Sequence, residues 1–274
     1  MIATTKSTQI PPAELKNFQA GVSPSFSIRK LGIKDISEIL RLGLADFKAM
    51  PTHLFFIAAI YPVCAFFLAN LSISYNLLPY FFPMLSGFAL LGPFAAIGLY
   101  EISRRRDMGL EMSWNDIFGV LNAPGRGAML VVAFILFLIF AAWMGAAHWI
   151  YGAIMGYYAP ESITGFLNTL LTTKAGWALI IIGHGVGFAF AALAFTISVV
   201  SFPLLLDKPV SATEAIRASV MTVRTNPVVM TFWAATIAVA LMLGSALLFI
   251  GLVLVLPILA HASWHLYRRV VAWE

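Results

Sequence analysis

The feature that most constrains the fold is a stretch of 40 residues, Val228 to Tyr267, that contains no Asp, Glu, Lys or Arg. A single helix of that length would be about 60 Å long, twice the roughly 30 Å hydrocarbon thickness of a bilayer. The stretch must therefore turn back on itself, and Gly251 near its midpoint is the natural turning point. We expect two membrane-spanning helices here, which indicates a polytopic α-helical membrane protein.

Four further stretches have the length and apolar character of membrane spans. They run from His53 to Ile73, Leu77 to Tyr100, Met129 to Gly152 and Gly176 to Leu206. The composition agrees, since 61% of the residues are hydrophobic and only 11% are charged, whereas soluble domains are about 25% charged. The sequence therefore predicts six transmembrane helices.

The basic residues provide an independent test of this topology. If residues 1–50 are cytoplasmic, every one of the 17 Lys and Arg residues except Lys174 falls on the cytoplasmic side, as the positive-inside rule predicts. A five-span topology would instead move Arg268 and Arg269 to the outer face. We therefore expect both ends of the chain in the cytoplasm, at a bacterial inner membrane. The positive charge then reflects topology and does not indicate a nucleic-acid partner.

Three cytoplasmic segments share one pattern. Each contains an amphipathic helix, followed by a proline (Pro51, Pro124 or Pro227) and then by the next span. In the third segment, Ser211 and Glu214 have the spacing of a capping box. The alternative is that any loop between spans looks amphipathic, but the recurrent proline favours a degenerate threefold repeat.

These patterns predict an all-α fold. It consists of six transmembrane helices arranged as three hairpins, each preceded by a cytoplasmic amphipathic helix. Residues 1–50 form a cytoplasmic N-terminal segment that contains the first amphipathic helix, and residues 51–274 form the six-helix transmembrane domain.

Few residues are capable of chemistry. None of the 12 Asp and Glu residues lies inside a predicted span, which argues against ion-coupled or proton-coupled transport. Glu101 and Asp207 lie at inner ends of spans, where we expect ion pairs with Arg104, Arg105 or Lys208. For an exposed pair, replacing Glu101 by Gln should cost only about 0–1 kcal/mol. The sequence contains no phosphate-binding loop and no nucleophile–base–acid set, so we do not expect an enzyme.

The histidines are the remaining candidates for a site. His261 and His265 are one turn apart on the sixth predicted span, so both project from one helix face. The topology places His53 at a similar depth on the first span. Three imidazoles at one level can bind haem or a metal ion, so these three are our candidate cofactor ligands, although we assign no cofactor. His184 lies between glycines and is expected to pack against another helix.

Three stretches of the chain resemble a known family. They are residues 87–105 (GFALLGPFAAIGLYEISRR), residues 201–207 (SFPLLLD) with Asn226-Pro227 downstream, and residues 261–268 (HASWHLYR). The family comprises predicted bacterial integral membrane proteins of unknown function, some of which are labelled as cytochrome c oxidase subunits. The resemblance covers roughly residues 35–271. It implies a six-helix membrane protein but provides no active-site residues to transfer.

Together these expectations point to a non-catalytic membrane accessory subunit or assembly factor of a respiratory complex, with cytochrome c oxidase as the expected partner. The chain lacks the intramembrane histidines that a haem–copper catalytic subunit needs, so the resemblance implies an accessory role. Two alternatives stay open. One is a small-molecule or lipid permease, and the other is a haem-binding or metal-binding membrane protein. Membrane lipids are expected contacts in every case.

Overall fold

The computed structural model of the chain describes residues 26–49, 77–110, 123, 125–157, 160–246 and 249–273. The first predicted span, the amphipathic pattern after Ser113 and His53 lie outside these residues. The described helices are α1 (Ile33–Ala49), α2 (Phe81–Leu90), α3 (Gly92–Ala95), α4 (Ile97–Asp107), α5 (Arg126–Met155), α6 (Ile163–Thr172), α7 (Lys174–Ser198), α8 (Ser201–Asp207), α9 (Ala212–Thr225), α10 (Pro227–Ala246) and α11 (Leu252–Val270). A 3-10 turn (Leu78–Tyr80) precedes α2, and two short strands, β1 (Phe26–Ile28) and β2 (Val271–Trp273), pair with each other.

Three helical segments in the described part of the chain are long and apolar enough to cross a membrane. They are α5, α7 together with α8, and α10, and they coincide with the third, fourth and fifth predicted spans. Their outer surfaces carry exposed apolar side chains such as Leu130, Phe134 and Phe188. A lipid-facing helix can expose such side chains because its backbone polar groups are paired internally. The chain is therefore an all-α polytopic membrane protein.

The second predicted span is not one continuous helix. It consists of α2, α3 and α4 in series, separated by turns at Leu91 and Ala96. Pro93 lies at the start of α3, where the lack of an N–H group leaves no donor unpaired. The Phe94 and Ala95 N–H groups both donate to the Leu91 carbonyl at 3.1 Å. The backbone N–H groups after the interruption are therefore hydrogen-bonded locally. A helix break inside the hydrocarbon region of a membrane requires such bonds.

The long uncharged stretch is broken near Gly251, as its length requires. Helix α10 ends at Ala246 and α11 begins at Leu252. A Cβ atom on Gly251 would lie only 2.8 Å from the Cα of Gly244. The two glycines therefore allow the backbones on either side of the turn to touch.

Helix α1 packs antiparallel along α11, because Asp35 contacts Arg269 near one end of the pair and Gly43 contacts Ala262 further along. A Cβ atom on Gly43 would lie 2.7 Å from the Ala262 backbone nitrogen, so only glycine permits this approach. The buried face of α1 also includes Ile39. This close contact brings the next turn of α1 against the polar residues of α11.

The segment before α1 is held against the same end of the bundle. Strand β1 pairs with β2, with Phe26 opposite Trp273. The Asn226 side chain accepts a hydrogen bond from Leu31 N–H at 2.7 Å and donates to the Arg29 carbonyl at 3.1 Å. Residues 26–31 and the end of α11 therefore lie on one side of the bundle.

The predicted capping box at the start of α9 is confirmed. The Ser211 hydroxyl accepts a hydrogen bond from Glu214 N–H at 3.2 Å, and Glu214 Oε2 accepts one from Ser211 N–H at 2.9 Å. Both N-terminal donors are thereby satisfied. Helix α9 packs against α7 and α8, and its buried residues include the small Ala215, Ala218 and Thr222.

Candidate functional site

A buried carboxylate connects three helices at one end of the bundle. Asp46 of α1 is 5% exposed. Its Oδ2 atom accepts hydrogen bonds from the Ser103 hydroxyl at 2.6 Å and from His265 Nε2 at 2.8 Å, and its Oδ1 atom accepts one from Arg106 Nη1 at 2.6 Å. The His261 ring lies against Ser103. We call these five residues the Asp46 cluster.

Local structure explains why these side chains meet. Asp46 follows Gly43 by three residues, so it lies on the same face of α1 that touches α11. His261 and His265 are one turn apart on α11 and both point towards that contact. Ser103 lies on the last turns of α4, which packs against α11. The close approach at Gly43 is therefore what buries the carboxylate.

The hydrogen bonds fix the direction in which protons are shared. The Ser103 hydroxyl has one proton and donates it to Asp46. The 2.8 Å contact between Ser103 Oγ and His261 Nδ1 then requires Nδ1 to be the donor. His261 Nε2 is left as an acceptor, and it is buried without a hydrogen-bond partner in the described part of the chain.

The cluster contains the residue types of a hydrolytic triad, but it is connected differently. In a Ser-His-Asp triad the imidazole lies between the two other groups and removes the serine proton. Here Ser103 lies between His261 and Asp46, so the imidazole donates to the serine and cannot act as its base. Ser103 and His261 are both 0% exposed. The arrangement orients the helices and does not activate the hydroxyl.

Two opposing effects act on the Asp46 carboxyl. Burial raises the pKa of Asp46, but hydrogen bonds from His265 and Ser103, together with the electrostatic attraction of the nearby imidazoles, lower it more, so that this pKa lies below its usual value. The carboxylate is therefore ionised at neutral pH. A buried charge of this kind is tolerated because its oxygens are fully hydrogen-bonded.

A second ion cluster lies on the same helix α4. Glu101 accepts hydrogen bonds from Arg104 Nε at 2.6 Å, Arg104 Nη2 at 2.8 Å and Arg105 Nε at 3.0 Å. The predicted pairing is thus confirmed. The prediction that this pair is exposed was wrong, because the Glu101 side chain is only 3% exposed and those of Arg104 and Arg105 are 14% and 19% exposed. Removing the Glu101 charge must then destabilise the protein more than breaking an exposed ion pair would.

Two further carboxylates tie α4 and α8 to the end of α11. Asp107 accepts a hydrogen bond from the Trp264 indole at 2.9 Å, and Asp207 accepts one from the Tyr267 hydroxyl at 2.7 Å. Arg268 lies 3.5 Å from Asp107 and 3.6 Å from Asp207. The end of α11 is therefore bonded to both α4 and α8.

The structure brings two of the three candidate ligands together. His261 and His265 share one face of α11, but their bonded nitrogens point at Ser103 and Asp46. No three His, Cys, Asp or Glu side chains in the described ranges are placed to hold a metal ion, and His53 lies outside those ranges. A haem or metal role for His261, His265 and His53 stays a prediction. Sequence reasoning missed Asp46, Ser103 and Arg106, because their partners are distant in sequence.

His184 is exposed. Its Nδ1 atom lies 2.7 Å from the Ile180 carbonyl of the same helix, and its ring lies 5.0 Å from that of Phe82 on α2. A Cβ atom on the neighbouring Gly183 or Gly185 would meet no described atom within 4 Å. Among the described residues, the predicted close packing through these glycines was therefore wrong: His184 contacts another helix only through the Phe82 ring, and its imidazole bonds to the backbone of its own helix.

Residues 81–207 match the model of a family described as predicted integral membrane protein (DUF2189). No curated protein and no solved structure matches the chain significantly. The matched segment runs from α2 to the end of α8 and includes Ser103 and Arg106, whereas Asp46 and His261 lie outside it. The chain is an integral membrane protein, similar over this segment to a family whose description states no activity.

Proposed function

We propose that this protein is a non-catalytic membrane subunit or assembly factor that docks against a respiratory complex, with cytochrome c oxidase as the partner. The observation that carries the docking proposal is a stripe of small residues on the exposed face of α7, described below. The identity of the partner comes from the family resemblance in the sequence.

The use of the carboxylates supports a non-catalytic role. Asp46, Glu101, Asp107 and Asp207 all accept hydrogen bonds from side chains of the bundle. Perturbed acids that serve catalysis lie in clefts open to a substrate, but Asp46 and Glu101 are at most 5% exposed. The chemistry of these groups is used to hold helices together.

Helix α7 presents a face suited to another transmembrane helix. Gly185, Ala189, Ala192 and Thr196 recur at intervals of three and four residues, so they form one stripe, which we call the α7 stripe. A Cβ atom on Gly185 would meet no described atom within 4 Å. Small residues at this spacing let helix backbones approach closely, which is how helices associate in membranes.

The opposite face of α7 already has its partner. Gly187 faces the Trp143 ring of α5, and the Phe190 and Trp143 rings lie 5.8 Å apart. The α7 stripe points away from this contact. The occupant that we propose for it is therefore a transmembrane helix of the oxidase, and the undescribed residues 50–76 of the same chain are the competing occupant.

Site-specific photo-cross-linking tests this docking. With a photoreactive amino acid at Ala189, we expect light-dependent adducts in native membranes that contain a cytochrome c oxidase subunit. The matched control places the same group at Phe134 of α5, which is 60% exposed and should give adducts with lipid. Mass spectrometry of the purified adducts identifies the partner.

Three outcomes would overturn the proposal. These are adducts from Ala189 that contain only residues 50–76 of the same chain, adducts with lipid alone, and equal oxidase capture from Phe134. A mild-detergent purification that recovers the oxidase, with recovery reduced by Gly185→Leu, supports it. Gly185→Leu adds bulk where no described atom lies within 4 Å, so a change in folding is not expected.

The same proposal includes a six-span topology in the bacterial inner membrane with both ends cytoplasmic. Pairing of β1 with β2 supports it, because residues 26–28 and 271–273 can lie together only if an even number of crossings separates them. The distribution of basic residues supports the orientation.

Reporter fusions test the topology. A reporter inserted at residues 161–174 or after Gly251 should be periplasmic, and one after Glu274 should be cytoplasmic. Alkaline phosphatase and green fluorescent protein fusions at the same positions provide matched opposite readouts. A cytoplasmic signal at 161–174 would refute the whole topology, whereas a periplasmic signal after Glu274 would refute only the six-span count.

A further inference from the structure

A cleft of about 250 Å³ lies between the start of α2 and the end of α5. It is lined by Leu77, Tyr80, Met84, Met144 and His148. Two thioethers and one imidazole therefore share the walls of one otherwise apolar cavity. Sequence inspection did not single out this set, because Met84 is 60 residues from Met144 and methionines are common in membrane spans.

Helix geometry brings these three residues to the cleft. Met144 and His148 are one turn apart on α5, so they project from the same face. Met84 approaches from α2, which packs against α5. The contact between these two helices is further fixed by the Trp143 indole, which donates a hydrogen bond to the Pro83 carbonyl at 2.9 Å.

The His148 ring is held in a defined orientation. Its Nδ1 atom lies 2.9 Å from the Tyr80 hydroxyl, so Nε2 is the nitrogen left for a ligand. The ring also lies between two aromatic rings, with centroids 5.6 Å from Tyr80 and 4.9 Å from Tyr157. Histidines that bind metals usually have their second nitrogen hydrogen-bonded in this way, since the bond fixes the tautomer and the ring.

The turn after α5 adopts an unusual conformation next to this ring. Tyr157 has a φ of 58°, a left-handed value that is uncommon for a residue other than glycine. The turn folds the Tyr157 ring back onto Gly152, where a Cβ atom would clash with the ring. Such strain is concentrated at functional sites. Here it places an aromatic ring against the candidate ligand.

We propose that Met84, Met144 and His148 bind a monovalent soft metal ion, Cu(I). Thioether sulfur selects Cu(I) over harder cations, and imidazole is compatible with it. All three ligands are neutral, so a divalent ion would keep a full double charge beside an apolar wall, which is costly. Cu(I) carries half that charge and accepts three ligands.

This site is distinct from the Asp46 cluster. Tyr80 lies just before α2 and Ser103 lies near the end of α4, so three consecutive helices separate the cleft from the Asp46 cluster. His148 lies in the last turns of α5. The cleft therefore lies at the opposite end of the bundle, which the predicted topology places on the outer side. The proposal does not depend on the docking of a respiratory complex.

Copper titration of the purified full-length protein in detergent tests the site. With Cu(I) supplied under reducing conditions and a colorimetric Cu(I) chelator as competitor, we expect one ion per chain. Met84→Leu and Met144→Leu should each weaken binding at least about tenfold, because even an outer-shell change typically costs 10- to 100-fold in metal affinity. X-ray absorption of the copper-loaded protein should show both sulfur and nitrogen neighbours.

Met242→Leu is the matched control, since Met242 is 64% exposed on α10, outside the cleft, and should leave the affinity unchanged. Leucine is close to methionine in volume, and size-exclusion profiles check that each variant is folded. The proposal is overturned if the wild-type protein binds no Cu(I) in competition, if its absorption spectrum shows no sulfur neighbours, or if both cleft variants bind as tightly as Met242→Leu. Tighter binding of Zn(II) than of Cu(I) under the same competition would also overturn it.

Discussion

Replacing Glu101 by Gln should lower the free energy of unfolding by about 3–5 kcal/mol, the range for removing one partner of a buried ion pair. The Glu101 carboxylate accepts three hydrogen bonds from Arg104 and Arg105. An uncharged amide cannot balance two guanidinium charges that are each less than 20% exposed. SDS titration of the purified protein, followed by tryptophan fluorescence, measures this loss.

The matched control is Glu161→Gln, since Glu161 is exposed and its replacement should leave the unfolding curve unchanged. Reconstitution in vesicles rich in anionic lipid should recover part of the loss at Glu101, because headgroup phosphates can pair with the same guanidinium groups. If Glu101→Gln unfolds like the wild type but abolishes a measurable activity, the structural role is wrong and a proton-handling function must be considered.

Replacing Asp46 by Ala should destabilise the protein by about 3 kcal/mol, the lower end of the same range. Asp46 is the common acceptor for Ser103, His265 and Arg106. The Arg106 side chain is 43% exposed and can be hydrated when its partner is lost. Most of the cost therefore comes from Ser103 and His265, which would lose their acceptor inside the bundle.

The contribution of Asp46 should also depend on pH. Because the pKa of Asp46 is lower in the folded protein than in the unfolded chain, its stabilisation is complete above about pH 4 and is lost as the pH falls below that value. The difference in unfolding free energy between wild type and Asp46→Ala should therefore shrink as the pH falls below about 4. Glu38→Gln on the same helix is the control, since its pair with Arg41 is exposed. A difference that is constant with pH would contradict this role for the Asp46 charge.

Periodicity and charge predicted much of the fold. The amphipathic pattern of α1, the capping box at Ser211 and the break near Gly251 all depend on residues close in sequence. Local chemistry therefore decides them. The interruption of the second predicted span was missed, although Gly92 and Pro93 mark it, because mean hydropathy does not distinguish a continuous helix from three short ones.

Local sequence patterns could not predict the Asp46 cluster. His261 and His265 could be paired by their i, i+4 spacing, but Asp46, the acceptor of His265, lies 219 residues away in sequence. In the helical pattern of α1, Asp46 looks like one more solvated charge beside the apolar face. Asp46 is buried only because the backbone of α1 contacts α11 at Gly43. The sequence around Gly43 does not identify the residue that it contacts. Buried polar groups are found from tertiary structure for this reason.

The antiparallel packing of α1 on α11 sets an order of events during synthesis. At roughly 5–20 residues per second, the ribosome reaches His265 about 10–45 s after Asp46 has been made. Throughout that interval α1 is an amphipathic helix on which Asp46 lacks His265 and Gly43 lacks its contact with α11. It must wait at the membrane surface until α11 has been inserted. Closure of the bundle, with pairing of the two short strands, is therefore one of the last steps of assembly, and a chain that stops before α11 leaves its first helix without a place to bind.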